Sequence, residues 1–311
     1  MRVGVDIGGT SVKVGLVDES AKILRKQSFP FPRGDAEALA CSLRETVEEL
    51  LKDEGLSMAE ITFLGAVVPG SVTPDGSTVI HAYNLEYHDV PLRDILQKRF
   101  PGIGIALVND ADGATLAELH YGALKGCKTA ALLTLGTGLG GGIVLDGRLF
   151  HGGEGNGIEL GHMILVDGGR PCTCGNRGCA EVYCSATALI GLGKDAAAAH
   201  PDSLLAAGCA GNPENIDAKL VIDCAREGDC AALAAFREYV GHLSSACASI
   251  FNAFDPEKLA IGGGVCGAGA FLFDPLWEQT KQKCFFARER AVVPAELGND
   301  AGIIGAALCI G

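Results

Sequence analysis

Aromatic side chains are scarce in this chain of 311 residues, and its basic residues are outnumbered by acidic ones. Aromatic residues make up 6% of the sequence, whereas glycine occurs 44 times, which predicts many tight backbone turns. The 25 basic and 38 acidic residues give a net charge of −13. Because such a surface repels phosphate backbones and no basic stripe is present, we expect no nucleic-acid partner.

Signals that direct a chain into a membrane or out of the cell are also lacking. The first ten residues contain no basic stretch followed by a long apolar run. No window approaches the roughly 18 consecutive apolar residues that a membrane-spanning helix needs. The 13 cysteines are mostly scattered singly, which is typical of a reduced compartment. We therefore expect a cytoplasmic protein without a membrane partner.

The length of the chain predicts more than one folding unit. A chain of 311 residues is about twice the usual size of a single domain. Hydrophobic residues make up 48% and charged residues 20%, close to the average of globular proteins, so a disordered chain is excluded. We expect two domains or two lobes.

A pattern of strand, glycine turn and strand occurs twice. Residues 1–18 and 130–147 both place a glycine-rich turn between apolar segments, and the two closing residues, Asp18 and Asp146, are 128 positions apart. This spacing predicts an internal duplication, with two lobes that each begin with a hairpin. The alternative is a chance similarity of two glycine-rich hairpins.

The other segments show the apolar periodicities of helices and strands. Leu39, Leu43 and Val47 recur at helical spacing, whereas short apolar runs bounded by Gly or Pro predict strands. The chain is expected to be rich in loops over 148–185 and largely helical from 186 onward. The expected helices cover residues 35–54, 111–124 and 301–310, and the expected strands cover 63–70, 104–110 and 258–264.

Three glycine-rich loops can bring backbone N–H groups close to an anion, at residues 7–10, 135–142 and 261–269. The last two contain the G-x-G-x-x-G spacing, but a strand follows the first of them, and too little chain follows the second for a dinucleotide-binding sheet. Residues 122–129 resemble a Walker loop, but Cys127 takes the place of its second glycine. These departures argue against nicotinamide, flavin and Walker-type sites.

The two hairpins suit a different ligand. Thr10 and Thr137 can each present a hydroxyl and a backbone N–H, from opposite lobes, to the β- and γ-phosphates of ATP. Asp6, at the end of the first strand, is placed to hold hydrated Mg²⁺. The alternative is that both loops are ordinary hairpin turns, and the threonine in each favours phosphate binding.

One group of cysteines is clustered. Cys172, Cys174 and Cys179, together with His162, supply three thiolates and an imidazole, which is a tetrahedral set of zinc ligands. Glycines within the loop permit the tight turn that directs the sulfur atoms inward. Because four protein ligands leave no position for substrate or water, this zinc is predicted to be structural. Disulfide pairing is the alternative.

Two glutamates flank this cluster in the sequence. A loop that zinc holds in place would also hold Glu159, His162 and Glu181. Pairs of hydrogen-bond acceptors suit the vicinal hydroxyl groups of a sugar, so these side chains are candidates for sugar recognition. The alternative is that they are solvated surface charges.

Together these motifs resemble the ROK family (repressor, open reading frame, kinase). The resemblance covers nearly the whole chain in the right order, and the zinc motif is its most specific part. The segments that carry it are DIGGTSVKVGLVD (6–18), VND (108–110), LGTGLGGGIVLDG (135–147), ELGH with C-x-C-G-x-x-G-C-x-E (159–181), IGGGV (261–265) and NDAGIIGAA (299–307).

The resemblance implies an α/β fold with two lobes, the duplicated actin-like ATPase fold of the ribonuclease H type, with ATP between the lobes. The small N-terminal lobe would cover residues 1–117, which the helix 301–311 can join, and the large lobe would cover 118–300. It also implies a phosphotransferase that phosphorylates a hexose hydroxyl with Mg-ATP. In this reaction Asp110 would act as the general base.

Further site residues are implied by the resemblance. His162, Cys172, Cys174 and Cys179 would hold the structural zinc. The sugar would contact Gly70, Asn84, Asn109, Asp110, Glu159, His162 and Glu181. The nucleotide would contact Asp6, Gly8, Gly9, Thr10, Thr137 and Gly138, and its adenine would lie near Gly263, Gly264 and Val265.

Two departures from the family pattern lie in the segments that would contact the sugar. Ile158 stands where the family usually has glycine, and Glu86 and Tyr87 stand where it often has Gly-Trp. Glucose is the first choice of substrate, because residues 180–188 resemble the glucokinase members. Kinases of N-acetylmannosamine, N-acetylglucosamine, fructose or allose are the alternatives.

Repressors in the same family carry a helix-turn-helix segment ahead of the first hairpin. Only five residues precede Asp6 in this sequence, so we expect no such module. A sugar-sensing protein without catalysis remains an alternative to a kinase. The resemblance also implies a homodimer or homotetramer, with the helical region after residue 186 as the expected interface.

Overall fold

The structure is a computed structural model that describes residues 1–153, 157–286, 289 and 291–309. It divides into two compact units. The first comprises Met1–Gly126, Arg148–Ile158 and Leu297–Gly311, and the second comprises Cys127–Gly147 and Glu159–Glu296. The lobe boundaries at residues 117 and 300 stay predictions. The predicted lobes and helix include residues 154–156, 287, 288, 290, 310 and 311, which lie outside the described residues.

The order of helices and strands sets the topology of both units. In chain order they are β1 (Arg2–Ile7), β2 (Ser11–Val17), β3 (Ile23–Pro30), α1 (Ala36–Asp53), β4 (Phe63–Val68), β5 (Ser71–Val72), β6 (Val79–Ala82), β7 (Tyr87–Val90), α2 (Leu92–Arg99), β8 (Gly104–Asn109), α3 (Asp110–Tyr121), β9 (Ala130–Leu135), β10 (Leu139–Leu145), β11 (Arg148–Leu149), α4 (Glu181–Cys184), α5 (Ala186–Ala199), α6 (Leu204–Gly208), α7 (Ala218–Arg226), α8 (Cys230–Phe254), β12 (Lys258–Gly262), α9 (Ala270–Lys283), β13 (Val292–Pro294) and α10 (Ala301–Leu308).

The first unit is built on a mixed sheet in the order β3-β2-β1-β4-β8. β1 and β2 form the predicted antiparallel hairpin, and β4 pairs in parallel with β1 and with β8. The apolar residues that alternate along the hairpin are buried in one core with the leucines of α1. α1 begins where the Asp35 carboxylate accepts a hydrogen bond from the Ala38 N–H, at 2.9 Å.

Helix α10 packs on the same sheet at very short range. A β-carbon at Gly4 in β1 would lie 1.9 Å from the carbonyl oxygen of Ile303, and one at Gly65 in β4 would lie 1.8 Å from that of Ala306. Any larger residue at these two positions would collide with the helix backbone, so the packing requires glycine. The predicted helix after residue 300 is confirmed over Ala301–Leu308.

The second unit contains a sheet with strands in the order β10-β9-β12-β13. β9 and β10 are antiparallel, whereas β12 pairs in parallel with β9 and with β13. The order and directions are those of β2-β1-β4-β8 in the first unit, which supports the predicted duplication. The helices from α5 to α9 make the chain largely helical after residue 186, as expected. Tyr239 in α8 is buried, and its hydroxyl donates to the carbonyl of Cys184 at 2.8 Å.

Some elements were not predicted from the sequence. β3, the small antiparallel sheet β5-β6-β7 and β13 are all absent from the expected elements. Helix α3 begins at Asp110, one residue before the predicted start, and ends at Tyr121. Across the described parts of the chain, each helix is too short or too polar to cross a bilayer.

Candidate active site

The β1–β2 turn of the first unit is a tight glycine turn with an exposed threonine. The Gly8 N–H donates to the carbonyl of Ser11 at 2.9 Å, and Thr10 is exposed at the tip. A β-carbon at Gly9 would lie 3.2 Å from the backbone oxygen of Asn84. The structure therefore brings the first predicted phosphate turn next to one of the predicted sugar contacts.

Asp6 lies near the end of β1, where a positively charged side chain and the N-terminal end of a helix compensate its negative charge. Its Oδ2 is 2.9 Å from Nζ of Lys13, and its side chain is 21% exposed. It also packs against the start of α10, because a β-carbon at Gly302 would lie 2.8 Å from its Cγ. Sequence reasoning missed Lys13, although the hairpin register, which pairs Asp6 with Lys13 across the two strands, could have indicated it.

The predicted base stands at the junction of β8 and α3. Asn109 caps the helix, because its Oδ1 accepts hydrogen bonds from the N–H groups of Ala111 (2.8 Å) and Asp112 (3.2 Å). Asp110 is the first helical residue, and its Oδ1 accepts from the Ala111 N–H at 2.8 Å. Asp110 is exposed, and the cap fixes its position at the start of the helix.

The predicted sugar contacts of the first unit are linked by successive contacts. Asn109 Nδ2 donates to the carbonyl of Gly70 at 2.9 Å. Gly70 has a φ of +115°, and a β-carbon there would lie 2.1 Å from the carbonyl oxygen of His81 in β6. The chain then continues from β6 into the short helical turn that contains Asn84. Asp110, Asn109, Gly70 and Asn84 thus belong to one connected region.

The β9–β10 turn of the second unit is held by side chains from other elements. The Gly136 N–H donates to the carbonyl of Gly138 at 3.0 Å, and Thr137 is exposed at the tip. The Thr187 hydroxyl donates to the carbonyl of Thr137 at 2.7 Å. The Glu181 carboxylate accepts from the Leu139 N–H at 3.0 Å, so it fixes the second side of the turn.

The cysteine cluster, formed by His162, Cys172, Cys174 and Cys179, is assembled within the second unit. One donor atom from each residue lies within 4.8 Å of the others. The sulfurs of Cys174 and Cys179 are 3.6 Å apart, and Cys172 Sγ is 3.8 Å from His162 Nδ1. A disulfide needs an S–S distance of about 2.05 Å, whereas two sulfurs on one tetrahedral zinc are about 3.8 Å apart. The donor set and its spacing therefore fit zinc, and all 13 cysteines are free thiols.

Backbone geometry sets the shape of this loop. The Gly175 N–H donates to the carbonyl of Cys172 at 3.1 Å, and Gly175 has a φ of +93°. Gly178 has a φ of +85°, and a β-carbon there would lie 1.7 Å from the carbonyl oxygen of Val166. The predicted role of the two glycines in the turn is confirmed.

The thiols of the cluster differ in acidity. A hydrogen bond from the backbone N–H of Asn176 lowers the pKa of Cys174, whereas burial raises the pKa of Cys179. Metal ligation requires thiolates, so a metal that binds here must displace a proton from Cys179.

The remaining predicted site residues of the second unit differ in their exposure and in their contacts. Glu159 is exposed, and its carbonyl accepts from the N–H of the partly buried His162 at 3.0 Å. Glu181 Oε1 lies 3.7 Å from Cys172 Sγ, which links the cluster to the β9–β10 turn. Gly264 is exposed, but the side chain of Val265 is buried, so an adenine contact at this position would have to use its backbone.

The two units together define a class of protein. Each contains a mixed sheet, and four strands follow the same order in both sheets. Each sheet begins with a glycine hairpin that exposes a threonine at its tip. This is the actin-like ATPase fold, so the predicted fold class is confirmed by the solved structures that share it.

Comparisons with known proteins identify the family. The ROK family pattern matches residues 2–310. A glucokinase of Thermotoga maritima is 39% identical over 312 residues, which cover 99% of this chain and 96% of that protein. The crystal structure of a ROK family glucokinase from Streptomyces griseus in complex with glucose and AMPPNP has a TM-score of 0.84 and 34% identity, and covers 98% of this chain and 97% of its own. A ROK hexokinase from Thermus thermophilus has a TM-score of 0.82 and 32% identity, with coverages of 99% and 96%. This chain belongs to the ROK family.

Proposed function

We propose that this protein is an ATP-dependent glucose kinase that forms glucose 6-phosphate. The observation that carries the proposal is the placement of Asp110 at the start of α3, oriented by its Asn109 cap and connected to Gly70 and Asn84. The similarity to glucokinases over nearly the full chain supports the substrate, since the Streptomyces griseus relative is described with glucose and AMPPNP.

In the proposed reaction, the Asp110 carboxylate accepts the proton of the sugar hydroxyl as that oxygen attacks the γ-phosphate in line. Phosphoryl transfer requires little covalent chemistry from the protein, so orientation and charge neutralisation supply most of the rate. An exposed Asp110 with a fixed backbone suits this task, because the bound sugar would complete its surroundings. The helix cap keeps the carboxylate at a defined position before the sugar arrives.

We assign sugar binding to the predicted contacts of both units. In the first unit the side chains of Asn84 and Asn109 would hydrogen-bond hydroxyl groups, and Gly70 would allow the backbone to approach the ring. Glu159 and His162 would add an acceptor and a ring nitrogen. Glu181 already accepts from the Leu139 N–H through one oxygen, so its other oxygen would receive a sugar hydroxyl. These residues would be Gly70, Asn84, Asn109, Asp110, Glu159, His162 and Glu181.

Nucleotide binding is assigned to the two hairpin turns and to the loop after β12. The turn N–H groups and the threonine hydroxyls would contact phosphate oxygens, and Asp6 would hold the hydrated Mg²⁺ that accompanies ATP. Support comes from the open geometry of both tips, where Thr10 and Thr137 are exposed. The full set would be Asp6, Gly8, Gly9, Thr10, Thr137, Gly138, Gly263, Gly264 and Val265.

The cysteine cluster is proposed to hold a structural zinc ion. The ion would be bound by His162 and the three thiolates, and it would cross-link the loop without offering an open position to substrate. Through Glu181, which lies near Cys172 Sγ and accepts from the Leu139 N–H, a rigid loop would also steady the β9–β10 turn.

We also propose self-association as a homodimer or homotetramer. Helices α8 and α9 form an apolar groove of about 430 Å³ whose lining includes Phe236, Val240 and Phe271. A second copy of the chain would cover such a surface. The absence of nucleic-acid and membrane partners and a cytoplasmic location stay predictions from the sequence.

The proposed substrate is tested by measuring ADP release with a panel of hexoses. We expect the highest kcat/KM for glucose, compared with N-acetylmannosamine, N-acetylglucosamine, fructose and allose. A higher value for an N-acetylated sugar would show that the pocket admits an acetamido group, and glucose would then be the wrong substrate. Sugar binding without ADP release for every hexose would identify a sensor and contradict the kinase assignment.

The Thr137→Val variant tests the second hairpin as a phosphate site. Valine keeps the shape of threonine but removes the hydroxyl, so we expect the KM for ATP to rise about tenfold, while the KM for glucose changes less than about twofold. Steady-state kinetics with each substrate varied in turn measure both values. Thr62→Val, a change at an exposed threonine outside the proposed site, is the control. A larger effect on glucose than on ATP would contradict the assignment.

A further inference from the structure

Asp112 is a buried carboxylate to which the proposed mechanism gives no role. It lies in the first turn of α3, two residues after Asp110, and its side chain is 6% exposed. Its backbone N–H donates to Asn109 Oδ1 at 3.2 Å, so the residue that caps the helix also fixes the position of Asp112. A carboxylate buried to this extent is costly unless a partner compensates its charge.

The partner is a histidine that lies far away along the sequence. His151 Nδ1 is 3.4 Å from Asp112 Oδ2, and the imidazole is 53% exposed. The hydrogen bond with Asp112 raises the pKa of His151 above its usual value, although partial burial of the ring opposes this effect. The charged form of the imidazole is therefore the form that the carboxylate stabilises.

The ion pair between Asp112 and His151 holds the part of the chain that follows β11. His151 comes two residues after β11, and its carbonyl accepts from the Gly157 N–H at 3.0 Å. A β-carbon at Gly157 would lie 3.9 Å from Asp112 Oδ2, so both residues of this hydrogen bond are close to the same carboxylate. Two residues after Gly157 the chain reaches Glu159, one of the proposed sugar contacts.

We propose that Asp112 and His151 are positioning residues for sugar binding. Their ion pair attaches the segment that continues to Glu159 and His162 to the helix that begins with Asp110. The pair sets the affinity for the sugar and leaves the chemical step to Asp110. This inference rests on the proposed function, because it assumes that Glu159 and His162 contact the sugar.

The His151→Gln variant is the first test. Glutamine can still donate a hydrogen bond but cannot carry the charge, so we expect the KM for glucose to rise about tenfold. The kcat and the KM for ATP are expected to change less than about threefold. His120→Gln, at an exposed histidine near the end of the same helix, is the matched control and should behave as wild type. An unchanged KM for glucose in His151→Gln would overturn the proposal.

A double-mutant cycle shows whether Asp112 and His151 act as a pair or independently of each other. Asp112→Asn is expected to raise the KM for glucose to a similar extent, because either substitution removes the same ion pair. The double variant Asp112→Asn/His151→Gln should then equal the worse single variant within about twofold. A KM that multiplies the two single effects would show that the residues act independently and would reject the pair. Thermal melting of each variant identifies any loss of folded protein.

The pH dependence of the KM for glucose is a measurement that a purely structural role of the pair would not affect. The ion pair is intact below the raised pKa of His151 and weakens as the pH rises through it, so the KM for glucose should increase with pH in the wild type. This increase should be absent from His151→Gln. Equal pH profiles of the two proteins would contradict the proposal. The other titratable groups on α3 and β11 are present in both proteins, namely Asp110, Asp112, Glu118, His120, Tyr121 and Arg148.

The Glu159→Gln variant distinguishes a failure of this inference from a failure of the proposed site. If Glu159→Gln raises the KM for glucose and the His151 and Asp112 variants do not, the sugar site stands and the positioning role is wrong. If Glu159→Gln also leaves the KM for glucose unchanged, the assumed sugar contact is wrong, and the inference falls with it.

Discussion

The Asp110→Asn variant is expected to lose about a thousandfold in kcat and to bind glucose within about tenfold of the wild-type affinity. Asparagine preserves the size of the side chain but cannot accept the proton of the sugar hydroxyl, so the loss should fall on the chemical step. Binding should persist, because Asn84, Asn109 and Glu159 remain in place. Steady-state kinetics and calorimetric titration of glucose measure the two quantities separately.

The Asp94→Asn variant is the matched control for this experiment. Asp94 is an exposed aspartate in the first turn of α2, so the substitution makes the same chemical change near another helix start. Its kcat should equal that of the wild type. A kcat for Asp110→Asn within about tenfold of wild type would exclude Asp110 as the general base. A loss of glucose binding as large as the loss of kcat would assign it to binding instead.

The Cys174→Ser variant is expected to purify with almost no zinc, whereas the wild type carries about one ion per chain. A serine hydroxyl stays protonated near neutral pH and is a poor ligand for zinc, so three donors would remain. Because the cluster supports the loop with Glu159 and His162, we expect the KM for glucose to rise at least about tenfold. Metal analysis by mass spectrometry and steady-state kinetics provide the two measurements.

Cys230→Ser is the control for this variant, since Cys230 is also exposed and lies at the start of α8, outside the cluster. Its zinc content and KM for glucose should match the wild type. An unchanged zinc content in Cys174→Ser would argue against the proposed ligand set. Loss of zinc with an unchanged KM for glucose would show that the metal does not support the sugar loop.

The two hairpins and α1 could be predicted because their signals are local. Alternating apolar residues around a glycine turn specify a hairpin, and leucines at helical spacing specify one face of a helix. β3 was missed because most of its residues are exposed and two are charged, so it has the composition of a surface loop. β13 has only three residues, and its conformation depends on pairing with β12, more than 30 residues earlier in the chain.

The candidate site shows the same division between local and distant signals. The cysteine cluster could be predicted from residue types and spacing, because few arrangements other than a metal site bring three thiols and an imidazole together. The contacts of Glu181 with Leu139 and of His151 with Asp112 could not, since each joins residues that are distant in the sequence. The exposure of Asp110 likewise depends on what surrounds the end of β8.

Helix α10 packs on Gly4 of β1 and Gly65 of β4, so this contact can form only after both parts of the chain have been synthesised. The ribosome delivers β1 first, whereas the helix that covers it is made about 300 residues later. Protein domains generally fold as units during synthesis, and by then the whole second unit has been made. The face of the first sheet that carries Gly4 and Gly65 therefore stays without this helix until the last part of the chain has been made.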